Sequence, residues 1–193
     1  MGSETLSMSG QGSTSSANVG SGLVVTTGSL ALSDGIGAAS NYIINGNITF
    51  DINPRVLSIE ASRPVNGSTT ILSSVSTLTN LVSGENLTLS GSGVAAQSSA
   101  GNDISISDIS SFSLSNGSGG LSSNYTLTGG THLVDLTATS AFVTGARVYD
   151  GLLTISGSIL TFVDPNDLSA SVSVTGTGSI SNADVGAYSV NVS

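Results

Sequence analysis

Side chains that could carry acid–base chemistry are few in this chain. His132 is the single histidine, and histidine is the usual group that titrates near neutral pH. The chain contains a sequence repeat, and the position that matches His132 in the other copy holds Ile48 or a neighbour. The repeated module therefore does not depend on a histidine there, and we predict that His132 is an exposed or half-buried strand residue. Serine is abundant, but no Gly-x-Ser-x-Gly motif is joined by a histidine and an acid in a plausible order. We therefore expect a protein that is not an enzyme, with no catalytic or cofactor-binding residues.

Oxygen ligands for a hard cation cluster at residues 164–167, which read Asp-Pro-Asn-Asp. Two carboxylates and an amide in one turn suit calcium. The matching segment, residues 83–86, keeps only one carboxylate, and neither segment has the alternating acidic pattern of a dedicated calcium loop. The sequence favours an ordinary proline-nucleated turn without a metal, and calcium at this turn is the alternative.

Aromatic residues are the remaining candidates for ligand binding. Binding of carbohydrate, or of a like module on another molecule, would need an exposed aromatic platform. Tyr149 and Tyr188 are the candidates for it outside the predicted core.

The charge of the chain excludes several classes of partner. It has no lysine, three arginines and twelve acidic residues, for a net charge of −9. Such a chain repels nucleic acid and anionic lipid, and it lacks the basic footprint that phosphate recognition requires. It has no cysteine and no apolar run that approaches the length of a membrane span, so we expect no thiol chemistry and no membrane insertion.

The elements that position these residues repeat with a period of just over eighty residues. The segment 4–10 returns 81 positions later as 85–91, Leu-Ser-Asp-Gly at 32–35 returns 82 positions later as Leu-Ser-Asn-Gly, and Arg63 returns 84 positions later as Arg147. Fixed-period similarity is typical of tandem arrays.

The repeat divides the chain into one complete module and two partial ones. We predict an expression remnant at 1–3, the carboxy-terminal part of a module at 4–50, a complete module at 51–134, and the amino-terminal part of a further module at 135–193. A permuted unit that runs from about Glu4 to Gly84 and starts again at Glu85 is the alternative.

Apolar and hydroxyl side chains alternate with a period of two, as in half-buried antiparallel strands. This pattern occurs at 48–52, 104–107, 170–174 and 188–192. Asp-Gly and Asn-Gly pairs, which tolerate positive φ in tight turns, lie between such runs at 34–35, 45–46, 66–67, 116–117 and 150–151.

These patterns predict an all-β protein of small antiparallel, β-sandwich-like or β-grasp-like modules in an elongated array. A parallel β-helix is the alternative. The predicted core consists of Val, Ile and Leu, with Tyr42, Tyr125 and Phe50 as its largest members.

Three motifs resemble a known family. The segment 145–151, Gly-Ala-Arg-Val-Tyr-Asp-Gly, the later Asn-Ala-Asp-Val-Gly at 182–186 and Asn-Tyr-Thr-Leu at 124–127 are similar to the YDG-type repeat. The other copy has Pro-Val-Asn-Gly at 64–67, which leaves the turn glycine as the shared requirement.

The resemblance implies a tandem module of large bacterial surface proteins, often adhesins related to filamentous haemagglutinin and secreted by the two-partner route. An extracellular, β-rich stalk segment at a Gram-negative cell surface is the implied role, with adjacent modules of the same chain as its partners. A module that itself binds glycans or like modules, as in a biofilm, is the alternative.

Overall fold

Strands and short 3₁₀ turns make up the regular structure of this protein. The computed structural model describes residues 4–44, 46–164 and 172–190, and no α-helix occurs among them. The all-β prediction is confirmed. A helix long and apolar enough to cross a membrane is absent from these ranges.

The described residues form nineteen strands, β1 to β19 in chain order. The amino-terminal segment contains β1 (Ser7–Ser9), β2 (Ser13–Thr14), β3 (Gly20–Thr26), β4 (Ala31–Ser33) and β5 (Thr49–Ile52). The central segment contains β6 (Arg55–Val56), β7 (Ser58–Pro64), β8 (Thr70–Leu72), β9 (Ser76–Thr79), β10 (Leu87–Ser90), β11 (Ser92–Ala95), β12 (Gly101–Asp108), β13 (Ser113–Asn116), β14 (Tyr125–Thr126) and β15 (His132–Thr137). The carboxy-terminal segment contains β16 (Phe142–Gly145), β17 (Thr154–Ser156), β18 (Leu160–Val163) and β19 (Thr177–Ser179). The 3₁₀ turns are Ala39–Asn41, Ser73–Val75, Ser122–Asn124 and Gly157–Ile159.

The largest sheet is a curled half-barrel of six strands in the order β8-β11-β12-β15-β7-β9. The pairs β8–β11, β11–β12 and β12–β15 are antiparallel, as predicted. The strands β15 and β7 are parallel. The amides of Ile59 and Val65 donate to the carbonyls of Thr131 and Thr137, and the separation of 72 residues in both bonds means that the two strands run in the same direction. The sheet therefore differs from a parallel β-helix, and it also departs from a purely antiparallel module.

The described chain divides into two compact units. One contains the residues up to Ile59 together with Leu78–Leu89 and Leu114–Thr131, and the other contains Glu60–Thr77, Ser90–Ser113 and the residues from His132 onward. The central segment thus contributes to both units, which are described separately below.

The second unit has a core of aliphatic side chains from the strands of the half-barrel. Val134 and Leu136 of β15 and Ile71 of β8 are almost fully buried. Ile104 and Ile106 of β12 are buried as well, so the predicted alternation with the serines between them is confirmed. Burying such a side chain stabilises the folded state by about 1.5–3 kcal/mol.

The first unit has a smaller core made of Leu57, Leu87 and Tyr125, with four half-buried leucines packed around it. The burial predicted for Tyr125 is confirmed, since the residue is 6% exposed. The burial predicted for Tyr42 and Phe50 is wrong, because these residues are 45% and 58% exposed.

The physical reason for the exposure of Tyr42 and Phe50 lies in the repeat. Their counterparts are Tyr125 and Val134, and Tyr125 packs against Leu57, which belongs to the first half of the complete module. Phe50 lies on β5, the last strand of its three-stranded sheet, whereas its counterpart Val134 lies on β15 between β12 and β7.

Strand register confirms the repeat at the level of single residues. In β3–β5, Leu23 lies opposite Phe50, and a bulge separates this pair from Gly20 opposite Ile52. In β12–β15, Ile104 lies opposite Val134, and the same bulge separates this pair from Gly101 opposite Leu136.

The same residue-by-residue match holds for the first half of the module. The pairs of β8–β11 at 70–72 and 92–94 recur in β17–β19 at 154–156 and 177–179. One antiparallel strand pairing is thus built twice from two different stretches of sequence.

Two predicted strands do not form where they are described. Residues 172–174 and 187–190 have no strand assignment, although their side chains alternate. The remainder of both runs, 170–171 and 191–192, lies outside the described residues. The counterpart of 187–190 is part of β12, which is paired with β11 and β15 on its two sides.

Turn glycines serve two different purposes. Gly67 and Gly151 adopt the positive φ expected of their turns, 77° and 73°. Gly35 and Gly117 do not have positive φ. A Cβ there would lie 2.2 Å from the Thr5 carbonyl oxygen and 2.4 Å from that of Asn86, so close approach of the backbone requires glycine instead.

Candidate functional site

An arginine clamp holds the turn that follows β7. The Nη1 of Arg63 donates to Asn66 Oδ1 at 2.6 Å and to the Pro64 carbonyl at 2.9 Å, and its Nη2 donates to the carbonyl of Ser68. The same Asn66 oxygen accepts from the Ser68 amide at 3.1 Å, which forms an Asx turn. Burial lowers the pKa of Arg63 below its ordinary value, yet the guanidinium stays charged at neutral pH.

The clamp recurs 84 residues later. Arg147 Nη1 donates to Asp150 Oδ2 at 3.0 Å and to the Thr154 carbonyl at 2.7 Å, and Nη2 donates to the Leu152 carbonyl. Asp150 Oδ1 accepts from the Leu152 amide at 3.0 Å. The aspartate and the asparagine thus perform one structural task in the two copies.

The clamp corrects the view that the glycine alone is shared by these turns. The sequence signal was present as Arg-x-x-[Asn/Asp]-Gly at 63–67 and 147–151. The sequence does not reveal that the arginine closes the turn on the acid or amide three positions later.

A second fixture holds the bulge between the long paired strands. Asp51 Oδ1 accepts from the Gly22 amide at 2.7 Å and from the Ser21 hydroxyl at 2.9 Å, and these bonds hold the pKa of Asp51 below its usual value. In the complete module, Asp135 Oδ1 accepts from the amide of Asp103 at 2.8 Å. Gly22 and Asp103 both have positive φ, 64° and 53°.

A tyrosine–glutamate pair is the third repeated fixture. The hydroxyl of Tyr125 donates to Glu85 Oε2 at 2.6 Å and accepts from the Val82 amide at 3.2 Å. The hydrogen bond to Glu85 and, to a lesser extent, burial raise the pKa of Tyr125 above its usual value, and the bond from the Val82 amide opposes them. Tyr42 donates to Glu4 Oε2 at 2.5 Å, and this bond raises its pKa as well.

His132 and Asp164 are the two buried polar residues among the described ranges. His132 lies in β15 as predicted for a strand residue, but it is 9% exposed, so the predicted exposed or half-buried position is wrong. Its strand lies in the interior of the six-stranded sheet, which accounts for the burial. Asp164 is also buried, and its Oδ2 accepts from the hydroxyl of Thr139 at 3.0 Å. The rest of the calcium candidate, 165–167, lies outside the described residues.

Across the described ranges, no cluster of three or more histidine, aspartate or glutamate residues could hold a metal ion. The recurrent polar groups are instead engaged with backbone amides and carbonyls. Their chemistry is that of structural hydrogen bonding.

Both tyrosines predicted as ligand-binding residues line one cleft in the carboxy-terminal segment. The cleft has a volume of about 570 Å³. One wall is formed by residues 143–147 and the other by residues 183–190. Tyr149 is 63% exposed and Tyr188 is half-buried. Structure thus brings together two residues that the sequence separates by 39 positions.

The walls of the cleft carry apolar side chains such as Val143, Ile155, Leu160 and Val190, beside nearly as much polar surface. Its charged groups have partners, since Arg147 is clamped to Asp150 and Asp184 accepts a hydrogen bond from the Asn182 side chain. The cleft can therefore receive an apolar or aromatic group of a ligand, and the backbone along its walls can form hydrogen bonds with that ligand.

Comparison with known proteins identifies the central segment. A family model described as the YDG domain matches residues 53–132, which lie within the predicted complete module of 51–134. Neither a curated protein nor a solved structure matches the chain.

Proposed function

We propose that this chain, which contains a YDG domain at residues 53–132, is a non-enzymatic structural segment of an extracellular bacterial adhesin. Its repeated modules would hold a distal binding region away from the cell surface. The adjacent modules of the same chain are then its principal partners.

The observation that supports this role best is the recurrence of whole fixtures rather than of isolated residues. The arginine clamp, the aspartate-held bulge and the tyrosine–glutamate pair each occur twice, with separations of 81 to 84 residues. The clamp and the bulge fix backbone geometry through hydrogen bonds to main-chain groups, and the tyrosine–glutamate pair joins two side chains. A spacer needs the same backbone geometry in each module, because a rod of tandem repeats is built from identical units.

The surface composition agrees with a spacer. Serine, threonine, asparagine and glycine solvate the chain, and its net charge of −9 comes almost without opposing cations. Net charge far from zero keeps neighbouring copies apart in solution and disfavours binding to nucleic acid or anionic membranes.

The experiment that tests this role measures the length of the molecule as the number of modules is increased. Chains with one, two and four complete modules are measured by small-angle X-ray scattering. A spacer gives a maximum dimension that grows by the same increment with each module. A dimension that grows only with the cube root of mass would show a collapsed globule and refute the proposal.

Binding is the second candidate function, and the cleft that contains Tyr149 and Tyr188 favours it. A glycan array tests the carbohydrate form of this idea. Loss of a measured affinity in Tyr149→Ala, with an unchanged circular dichroism spectrum, would support it. Tyr42→Ala serves as the matched control, because Tyr42 is another partly exposed tyrosine outside the cleft.

A further inference from the structure

The arginine clamp after β7 surrounds an asparagine that is followed by glycine. Asn66 is exposed to solvent, and Gly67 has a φ of 77°. The backbone nitrogen of Gly67 can attack the side-chain carbon Cγ of Asn66, because the ring that forms has five members. Glycine favours this attack, since it has no side chain to shield its nitrogen.

The clamp supplies two donors to the oxygen on which charge develops during that attack. The tetrahedral intermediate carries its negative charge on Asn66 Oδ1. This oxygen accepts from Arg63 Nη1 at 2.6 Å and from the Ser68 amide at 3.1 Å. Donors that are already in place at a developing oxyanion stabilise the transition state, and charged donors form the stronger hydrogen bonds. The guanidinium is itself held by the carbonyls of Pro64 and Ser68.

The attacking nitrogen is accessible as well. Gly67 lies between β7 and β8, and its amide donates to no backbone carbonyl of the described ranges. A base in solution can therefore remove the amide proton without breaking a hydrogen bond of the fold.

A second Asn-Gly pair in the complete module provides the comparison. Asn116 Oδ1 also accepts two hydrogen bonds, but both come from neutral groups, the amide and the hydroxyl of Ser122. The Gly117 amide donates to the Gly120 carbonyl at 3.3 Å, so the attacking nitrogen is already bound. The two pairs share one dipeptide and differ in the charge of the donors and in the freedom of the nitrogen.

The counterpart clamp shows that aspartate fits this turn. Asp150 stands at the position that matches Asn66. Its carboxylate accepts from Arg147 at 3.0 Å and from the Leu152 amide at 3.0 Å. Aspartate at position 66 therefore finds the same two kinds of donor, and the guanidinium becomes its ion-pair partner.

We propose that Asn66 is a self-modification site, at which the Arg63 clamp promotes the conversion of asparagine to aspartate. In the first step, the Gly67 amide loses its proton to solvent base, its nitrogen bonds to Cγ of Asn66, and the Cγ–Nδ2 bond breaks as ammonia leaves. The product is a succinimide. In the second step, water adds to Cγ, the bond from Cγ to the Gly67 nitrogen breaks, and that nitrogen regains a proton. Overall, asparagine and water give aspartate and ammonia.

The clamp also selects the product of the second step. Water can open a succinimide at either carbonyl, and attack at the main-chain carbonyl gives isoaspartate instead of aspartate. Arg63 and the Ser68 amide polarise the former side-chain carbonyl, so aspartate forms in preference. This inference is independent of the spacer role.

Mass spectrometry of the intact, folded chain after prolonged incubation tests the proposal. The chain is kept in water enriched in heavy oxygen at mildly alkaline pH, and pepsin then cleaves it into peptides that separate Asn66 from Asn116. Oxygen incorporation measures the rate at each site, and electron-transfer fragmentation distinguishes aspartate from isoaspartate. Arg63→Gln removes the charged donor, and Arg147→Gln makes the same exchange in the counterpart clamp as the matched control.

We expect Asn66 to convert about tenfold faster than Asn116, a difference of about 1.4 kcal/mol in activation free energy, and to give mainly aspartate. Arg63→Gln should slow the conversion about tenfold, which is less than the loss of about 10²–10³-fold for a donor in an enclosed enzyme site, because Asn66 is exposed. Arg147→Gln should leave the rate at Asn66 unchanged.

Faster conversion of Asn66 in Arg63→Gln would overturn the proposal, because the clamp would then only restrain the turn. Equal rates at Asn66 and Asn116 in the unmodified chain would overturn it even if Arg63→Gln fails to fold.

Discussion

Gly91 offers the sharpest test of the packing, because a second glycine matches it in everything but its surroundings. Gly91 has φ +89°, and a Cβ there would lie 1.9 Å from the carbonyl oxygen of Ser111. Gly84 has φ +87°, and a Cβ there would meet nothing within 4 Å. Alanine at either position bears the same left-handed strain, and only Gly91→Ala adds a collision with backbone.

The magnitudes separate the two variants. Left-handed backbone costs an alanine about 1–2 kcal/mol, which is the whole expectation for Gly84→Ala. Overlap in a packed region adds about 1–3 kcal/mol. The backbone of Gly91 cannot move away cheaply, because its carbonyl accepts from the Ser73 amide at 3.0 Å. The effect of alanine on the unfolded chain is the same for both and cancels in the comparison.

Urea unfolding followed by far-ultraviolet circular dichroism measures the difference. We expect Gly91→Ala to lose about 2–5 kcal/mol, and a chain of this size loses about 2–4 °C in Tm for each kcal/mol. Gly10→Ala, with a Cβ 2.0 Å from the Ser29 carbonyl oxygen, should behave like Gly91→Ala. Equal losses in Gly91→Ala and Gly84→Ala would refute the close approach on which the argument depends.

Two predictions concern pH. The pKa of Tyr125 is raised when folded, so the pair with Glu85 contributes stability below the ordinary tyrosine pKa and loses it as the pH rises through the folded value; Tyr125→Phe should flatten this alkaline decline in urea midpoint, and an unchanged decline would contradict it. The pKa of Asp51 is lowered by the Gly22 amide and the Ser21 hydroxyl, so its contribution is present above the ordinary aspartate pKa and lost as the pH falls through the folded value. Asp51→Asn should therefore reduce the acid-induced loss of stability, with Asp34→Asn as the control, and identical acid profiles for Asp51→Asn and the unmodified chain would rule out this assignment.

The strand content, the repeat and the aliphatic core could be predicted from the sequence, because each leaves a local or periodic trace. Alternation at 104–107 correctly placed Ile104 and Ile106 inside. The same reasoning failed for Phe50 and for residues 187–190, because burial and pairing depend on contacts with other strands. Periodicity reports which face of a strand is apolar, but it cannot report whether anything covers that face.

The candidate site could likewise be predicted from the sequence only in part. Tyr149 and Tyr188 could be chosen as aromatic residues outside the core, but their meeting in one cleft depends on long-range packing that the sequence does not display. The function of the clamp itself was hidden, since a guanidinium that bonds carbonyl oxygens leaves no pattern in composition. The aspartate-held bulge was missed for a related reason, because its acceptor and its donor lie 29 or 32 residues apart in sequence.

The parallel junction of β7 with β15 has a mechanical consequence. The chain enters the half-barrel along β7 and leaves it along β15, and these neighbouring strands point the same way. A pull on the two ends of the module would slide one strand along the other, so that the hydrogen bonds from Ile59 to Val65 resist together rather than opening one after another. A tether built from such units would resist tension as a series of paired strands that are loaded in shear.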